Sequence, residues 1–74
     1  MRKIYTSIDI GTDEVKAITV EEHHDKLNVL ATASVKSKGV KKGLITDAGA
    51  ITSSVKKALK TLENKLGTKV EQIL

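Results

Sequence analysis

Residues 3–21 read KIYTSIDIGTDEVKAITVE, and this stretch predicts two β-strands joined by a short turn. Polar and apolar residues alternate from Lys3 to Ile10, which is the pattern of a strand with one face toward a core. A second strand from Val15 to Glu21 carries apolar side chains on both faces, as expected where both faces of a sheet are partly covered. The segment from Gly11 to Glu14 turns the chain between the strands, directly after Asp9 and Ile10. The sequence therefore places a carboxylate, a glycine and a hydroxyl group together at one end of the predicted sheet.

The next part of the chain predicts a third strand. Residues 22–26 are polar and form a connection of hairpin length, after which residues 27–35 alternate between apolar and mainly polar side chains. Residues 36–43 are rich in lysine and glycine and show no period, so we expect an irregular segment there.

A long helix follows, because apolar residues recur at three- and four-residue steps. Thr46 or Asp47 can accept hydrogen bonds from the first free amides of this helix, and Gly67 can end it. Residues 70–74 then predict the start of another strand. The expected order is β-β-β-α-β, an α/β fold in which the helix makes a right-handed crossover onto the sheet. The apolar stripe consists of Ile51, Val55, Ala58, Leu59, Leu62 and Leu66.

The turn after the first strand has the chemistry of a phosphate-binding loop. The carboxylate of Asp9 suits Mg²⁺, Gly11 leaves backbone amides accessible, and the hydroxyl of Thr12 can donate to an anion. Taken alone, however, Asp9 and Gly11 are better explained as a strand end and a hairpin turn.

The composition argues against several classes of protein. A chain of 74 residues buries only about 60% of the surface that its unfolded form would expose, so we expect a piece of a larger protein. The sequence has no cysteine and no apolar signal segment, which fits the reducing cytoplasm. Its net charge is +4, but Tyr5 is the only aromatic residue and no nucleic-acid-binding motif is present. We therefore expect a cytoplasmic protein that does not bind nucleic acid.

Two segments resemble a known family. Residues 7–12, leading into residues 15–17, resemble the first phosphate motif of the actin-like ATPases. Residues 39–47, GVKKGLITD, stand before a long amphipathic helix and are similar to the same segment of the bacterial cell-division family FtsA. The resemblance runs along the whole chain. It implies an actin-like (ribonuclease H-like) ATPase fold, of which residues 1–74 would be an incomplete N-terminal fragment of the first subdomain.

The resemblance also implies a function for the complete protein. FtsA binds ATP with Mg²⁺, polymerises, recognises the tubulin-like protein FtsZ, and anchors the FtsZ ring to the inner membrane through a C-terminal amphipathic helix. We therefore expect a protein of the divisome that acts at the cytoplasmic face of the inner membrane. The regions that contact FtsZ, other copies and the membrane are expected outside these 74 residues. We expect at most weak ATPase activity from the full-length protein and none from this segment.

Site residues follow from the same resemblance. Asp9 would approach Mg²⁺ through water, and the amides of Gly11, Thr12 and Asp13 would face the phosphates, together with the Thr12 hydroxyl. Lys16 could add a point charge to the phosphates, although a solvated strand lysine is an equally good interpretation.

One departure from the family concerns charge. Asp13 and Glu14 stand where relatives often carry small, polar or basic residues. If these carboxylates face the phosphates, they should weaken nucleotide binding or make it depend more steeply on Mg²⁺.

Other interpretations remain open. A PilM-like ATP-binding protein of type IV pili shares both segments of the resemblance, an actin-fold sugar kinase shares only the first, and a self-contained binding module is the third alternative. His23 and His24 lack a third metal ligand and are expected to point to opposite sides. The lysines of residues 36–42 are explained by solubility, and the helix stripe by packing on a sheet rather than on a membrane.

Overall fold

A three-stranded antiparallel sheet carries one long helix in the computed structural model, which describes residues 3–70. The strands are β1 (Lys3–Ile10), β2 (Glu14–His23) and β3 (Lys26–Lys36), in the order β1-β2-β3. The three predicted strands are confirmed, and β1 has the predicted bounds. Strands β2 and β3 are longer than predicted, so only two residues remain in the turn between them. Both, His24 and Asp25, have positive φ (52° and 61°), as two-residue hairpin turns require.

The segment after β3 is a small hairpin, and the prediction of an irregular connection was wrong here. Strand β4 (Val40–Lys41) pairs antiparallel with β5 (Leu44–Ile45), and the described part of the chain therefore has the order β-β-β-β-β-α. Strands of two residues are too short for alternation to be recognised in a sequence. The turn between them, Lys42 and Gly43, again has positive φ at both positions (51° and 76°).

Helix α1 (Ala48–Leu66) begins after Asp47, one of the two predicted N-cap candidates, and ends at the predicted Gly67. Asp47 is the N-cap, and its Oδ1 accepts a hydrogen bond of 3.0 Å from the amide of Ala50. Gly67 is left-handed (φ 76°), and its amide donates to the carbonyl oxygen of Glu63 at 2.8 Å. Among residues 3–70, no helix has the length and apolar character needed to cross a membrane.

The predicted strand after the helix falls mainly on Ile73 and Leu74, which lie outside the described residues. Val70 is described and belongs to no strand. Its amide donates to Oε2 of Glu63 at 2.6 Å, which holds the chain against the end of α1.

The core lies between α1 and one face of the sheet, mainly over β2 and β3. Most of the predicted helix stripe faces the sheet: Ile51, Ala58 and Leu62 are buried, and Val55 and Leu66 pack against them, whereas Leu59 is not part of this core. The sheet contributes small side chains at Ala17 and Ala33, and these allow the helix to approach closely. At the edge of β3, Nζ of Lys65 donates to the carbonyl oxygen of Thr32 at 2.7 Å. The remaining buried core residues are Val15 and Val40.

One polar pair is buried in this core. Thr6 on β1 and Thr19 on β2 are directly opposite each other, and their Oγ1 atoms are 2.8 Å apart. The two residues are 3% and 1% exposed, so each hydroxyl satisfies the other out of contact with water.

The Thr6–Thr19 pair gives a testable stability prediction. Thr19→Val should lower the free energy of unfolding by about 1–3 kcal/mol, because it leaves the Thr6 hydroxyl buried without a partner. The double variant Thr6→Val/Thr19→Val should be closer to the natural protein than Thr19→Val, because no unpaired hydroxyl remains. Urea unfolding followed by circular dichroism measures the free energy of unfolding of both variants. A double variant less stable than either single variant would contradict the prediction.

Gly39 gives a second prediction. Its φ is 82°, its carbonyl oxygen accepts hydrogen bonds from Thr46 (2.7 Å) and Asp47 (3.1 Å), and an added Cβ would collide with the carbonyl oxygen of Asp47. Gly39→Ala should lower the free energy of unfolding by about 2–4 kcal/mol, because the left-handed backbone and the overpacking are both unfavourable.

The matched control is Gly67→Ala. Gly67 has a φ of 76°, but an added Cβ would meet no atom within 4 Å. Gly67→Ala should therefore lower the free energy of unfolding by only about 1–2 kcal/mol, because only the left-handed backbone is unfavourable. Thermal unfolding compares the two variants, and equal losses of Tm would show that the contact with Asp47 is unimportant.

Candidate phosphate-binding site

The turn between β1 and β2 forms a shallow concavity of about 370 Å³ at one end of the sheet. All the residues that the sequence predicts for phosphate binding line this concavity, so the fold brings them together. Glu14 also lines it. The predicted residues are Asp9, Gly11, Thr12, Asp13 and Lys16.

The turn is closed by its own backbone. The amide of Gly11 donates to the carbonyl oxygen of Glu14 at 2.9 Å, so this amide is already occupied. The expectation that it faces a phosphate does not hold in this conformation. The amides of Thr12 and Asp13 have no hydrogen-bond partner within residues 3–70, which leaves two adjacent donors at the tip of the turn. A Cβ added at Gly11 would lie 3.1 Å from the Glu14 carbonyl oxygen, so a larger residue would require this oxygen to shift by a few tenths of an ångström.

Asp9 and Lys16 are placed by the strand register. They are cross-strand partners on β1 and β2, both are exposed, and they lie on the sheet face opposite the buried core residues. The carboxylate and the ammonium group therefore approach the turn from the same side. Both residues also border a second concavity of about 610 Å³ on this face.

Sequence reasoning did not identify the other residues of the second concavity. Ser34 on β3 is the cross-strand partner of Lys16, and the alternation of the predicted strands could have placed it on this face. Lys65 reaches the concavity from α1 around the edge of β3, and the sequence contains no signal for that contact.

The charges of the site are unbalanced. Asp9, Asp13 and Glu14 are all exposed carboxylates, and among residues 3–70 Lys16 is the only cation that lines the concavity. Nζ of Lys16 lies 3.8 Å from Oε2 of Glu14, with the two side chains 63% and 53% exposed. A solvated pair of this kind is weak, so Lys16 can turn from Glu14 to another anion at little cost. A phosphate would still meet excess negative charge, which a divalent cation can offset.

Two hydrogen bonds hold the turn from the other side. The amide of Gly43, in the β4–β5 turn, donates to Oγ1 of Thr12 at 3.0 Å. The amide of Ser37, just after β3, donates to the carbonyl oxygen of Asp13 at 2.9 Å. Since the Thr12 hydroxyl accepts the bond from Gly43, its own proton remains free to be donated to a ligand. No local pattern in the sequence indicates that the hairpin contacts the turn.

The donor set fits Mg²⁺ held together with a phosphate. Within residues 3–70 there is no group of three or more His, Cys, Asp or Glu side chains that could hold a metal by themselves. Mg²⁺ is usually bound through one or two carboxylates together with water and substrate phosphates, and Asp9 supplies such a carboxylate.

The two histidines lie at the other end of the sheet from this turn. The ring centroids of His23 and His24 are 4.0 Å apart with an angle of 55° between the planes. The expectation that they point to opposite sides was therefore wrong, because the tight β2–β3 turn brings the rings together.

Comparisons with known proteins find relatives among the cell division proteins named FtsA. The chain is 38% identical over 69 residues to cell division protein FtsA of Streptococcus pneumoniae, which covers 93% of this chain and 15% of that protein. It is 38% identical over 65 residues to FtsA of Bacillus subtilis, covering 88% and 15% of the two chains. It is 33% identical over 69 residues to FtsA of Staphylococcus epidermidis, covering 93% and 15%. The chain thus spans about 15% of the length of these curated relatives. No protein-family model matches it.

The excess of carboxylates gives a prediction for the site. The double variant Asp13→Asn/Glu14→Gln should bind Mg²⁺-ATP about two- to fivefold more tightly, because it removes two negative charges beside the phosphates and frees Lys16. Calorimetric titration at low and high salt measures the effect, which should shrink as salt rises. Asp25→Asn, at the opposite end of the sheet, is the control and should leave the affinity unchanged. Weaker binding by the double variant would show that these carboxylates help to hold the metal.

Proposed function

Because the chain belongs to the FtsA family of cell division proteins, we propose that it forms the first phosphate-binding part of an actin-like ATPase subdomain that binds ATP with Mg²⁺. The observation that carries the proposal is the β1–β2 turn. It gathers a carboxylate, two adjacent amides and a hydroxyl proton that have no partner within residues 3–70, and a lysine, all around one concavity.

Each residue has a distinct role in this proposal. The amides of Thr12 and Asp13 donate to phosphate oxygens, and the Thr12 hydroxyl adds a third donor. Lys16 leaves Glu14 and contributes a positive charge. The glycine at position 11 keeps the turn tight enough to present these donors together. Asp9 holds Mg²⁺, directly or through water, and the metal supplies the positive charge that allows phosphates to approach the carboxylates.

We propose a broader role for the complete protein. We expect this protein to polymerise, to bind FtsZ and to anchor the FtsZ ring at the cytoplasmic face of the inner membrane, with at most weak ATPase activity. The names of these relatives support a role in cell division. They also favour this role over the pilus protein and the sugar kinase.

Exposed apolar side chains support the view that this segment works within a larger protein. Seven large apolar residues are exposed within residues 3–70, and we propose that further parts of the protein cover some of them. Their exposed fractions range from 43% for Leu30 to 70% for Leu44. The others are Ile4, Ile10, Leu27, Val29 and Ile45.

The test of nucleotide binding is a titration of the natural polypeptide and its Asp9→Asn variant with ATP, with and without Mg²⁺. Asn keeps the size of the side chain and removes its charge. We expect Asp9→Asn to weaken binding of Mg²⁺-ATP about tenfold, a loss of about 1.4 kcal/mol, and to leave binding of metal-free ATP unchanged or tighter.

The metal dependence is the internal control of this experiment. An effect of Asp9→Asn only in the presence of Mg²⁺ assigns the carboxylate to the metal. Equal affinity of both proteins for Mg²⁺-ATP would exclude Asp9 from the site, and no binding by the natural polypeptide would refute the proposed function itself.

A further inference from the structure

The turn of the β4–β5 hairpin, Lys42 and Gly43, lies directly against the candidate phosphate-binding turn. The amide of Gly43 contacts Oγ1 of Thr12 at 3.0 Å, and the amide of Ser37 contacts the carbonyl oxygen of Asp13 at 2.9 Å. Gly39 directly precedes the hairpin, and its carbonyl oxygen accepts hydrogen bonds from the two residues just before α1. Lys42 directly precedes Gly43, whose amide contacts Thr12, so Lys42 lies beside the turn.

The backbone of Lys42 is unusual for its residue type. Its φ of 51° is left-handed, and two-residue hairpin turns with this conformation favour asparagine, aspartate or glycine at that position. Lysine has no short side chain that could offset the strain through a local hydrogen bond. A disfavoured residue beside a candidate site suggests that its side chain is kept for a function.

The charge of the site gives Lys42 a suitable role. Within the described part of the chain, Lys16 is the only cation that lines the concavity, against the carboxylates of Asp9, Asp13 and Glu14. Lys42 is exposed, and within residues 3–70 it makes no ion pair. Its ammonium group stands on a flexible four-carbon stem, so it can turn toward a phosphate without any change in the hairpin.

We propose that Lys42 is a second phosphate-binding cation, which closes the site from the side of the β4–β5 hairpin. The inference rests on the proposed function, since it requires a nucleotide phosphate at the β1–β2 turn. Lys16 would then contact the phosphates from the sheet and Lys42 from the hairpin, with the Thr12 hydroxyl between them. These two cations would offset the repulsion between the phosphates and the carboxylates of Asp13 and Glu14.

The experiment uses the variant Lys42→Asn in the natural polypeptide, titrated with Mg²⁺-ATP. Asparagine removes the charge and suits the left-handed turn better than lysine, so the variant should fold with an unchanged or higher Tm. We expect about five- to tenfold weaker binding of Mg²⁺-ATP, with a smaller effect on adenosine, which has no phosphate. Lys42→Arg should keep most of the affinity, because it keeps the charge.

The control for net charge is Lys60→Gln, at an exposed position of α1. This variant removes the same charge and should bind Mg²⁺-ATP as the natural polypeptide does. Affinity unchanged by Lys42→Asn, or lowered equally by Lys60→Gln, would overturn the inference. If Asp9→Asn still weakens Mg²⁺-ATP binding in that case, the proposed function stands and only the role of Lys42 fails. If the natural polypeptide does not bind Mg²⁺-ATP, both fail.

Discussion

The backbone register between β1 and β2 is the constraint on which the rest of this molecule depends. It pairs Ile10 with Val15 next to the turn and Asp9 with Lys16 one step further. Because side chains alternate between faces, this one register buries Val15 under the helix and leaves Asp9 and Lys16 on the opposite, open face. A shift of one residue would exchange the faces, so the core and the candidate site cannot be changed independently. Gly11 sets the register by closing the turn on Glu14.

A continuous set of hydrogen bonds connects that turn to the helix. Thr12 is bonded to Gly43 in the small hairpin, and the first residue of that hairpin segment, Gly39, is bonded to Thr46 and Asp47 at the start of α1. Asp47 in turn caps the helix. The lysine- and glycine-rich segment is therefore a structural link rather than a spacer, since it fixes the position of the turn relative to the helix. A ligand that contacts Thr12 would therefore contact the first residue of this hydrogen-bonded series.

The regular elements were predictable from sequence because their signals are local. Alternation over eight residues located β1, and the caps at Asp47 and Gly67 located both ends of α1 through side-chain and backbone chemistry that acts within one turn of helix. The family resemblance, carried by the phosphate motif and residues 39–47, agrees with the relatives that the comparisons identified.

The features that sequence could not supply depend on short elements or on contacts between distant residues. Strands β4 and β5 have two residues each, which is only one period of alternation and too short to be recognised as a repeat. The bonds from Gly43 to Thr12 and from Lys65 to Thr32 join residues more than 30 positions apart, and nothing in the local sequence marks either pair. The occupied amide of Gly11 follows from the closure of the turn, which a list of residues around a phosphate motif does not show.

A crystal structure of the natural polypeptide with Mg²⁺ and a non-hydrolysable ATP analogue would test the phosphate-binding role of the β1–β2 turn. We expect phosphate oxygens within hydrogen-bond distance of the amide nitrogens of Thr12 and Asp13, with the metal beside Asp9. We also expect the amide of Gly43 to contact Thr12 in the complex. A nucleotide bound elsewhere, with water alone at the β1–β2 turn, would show that this turn is only a tight connection between two strands.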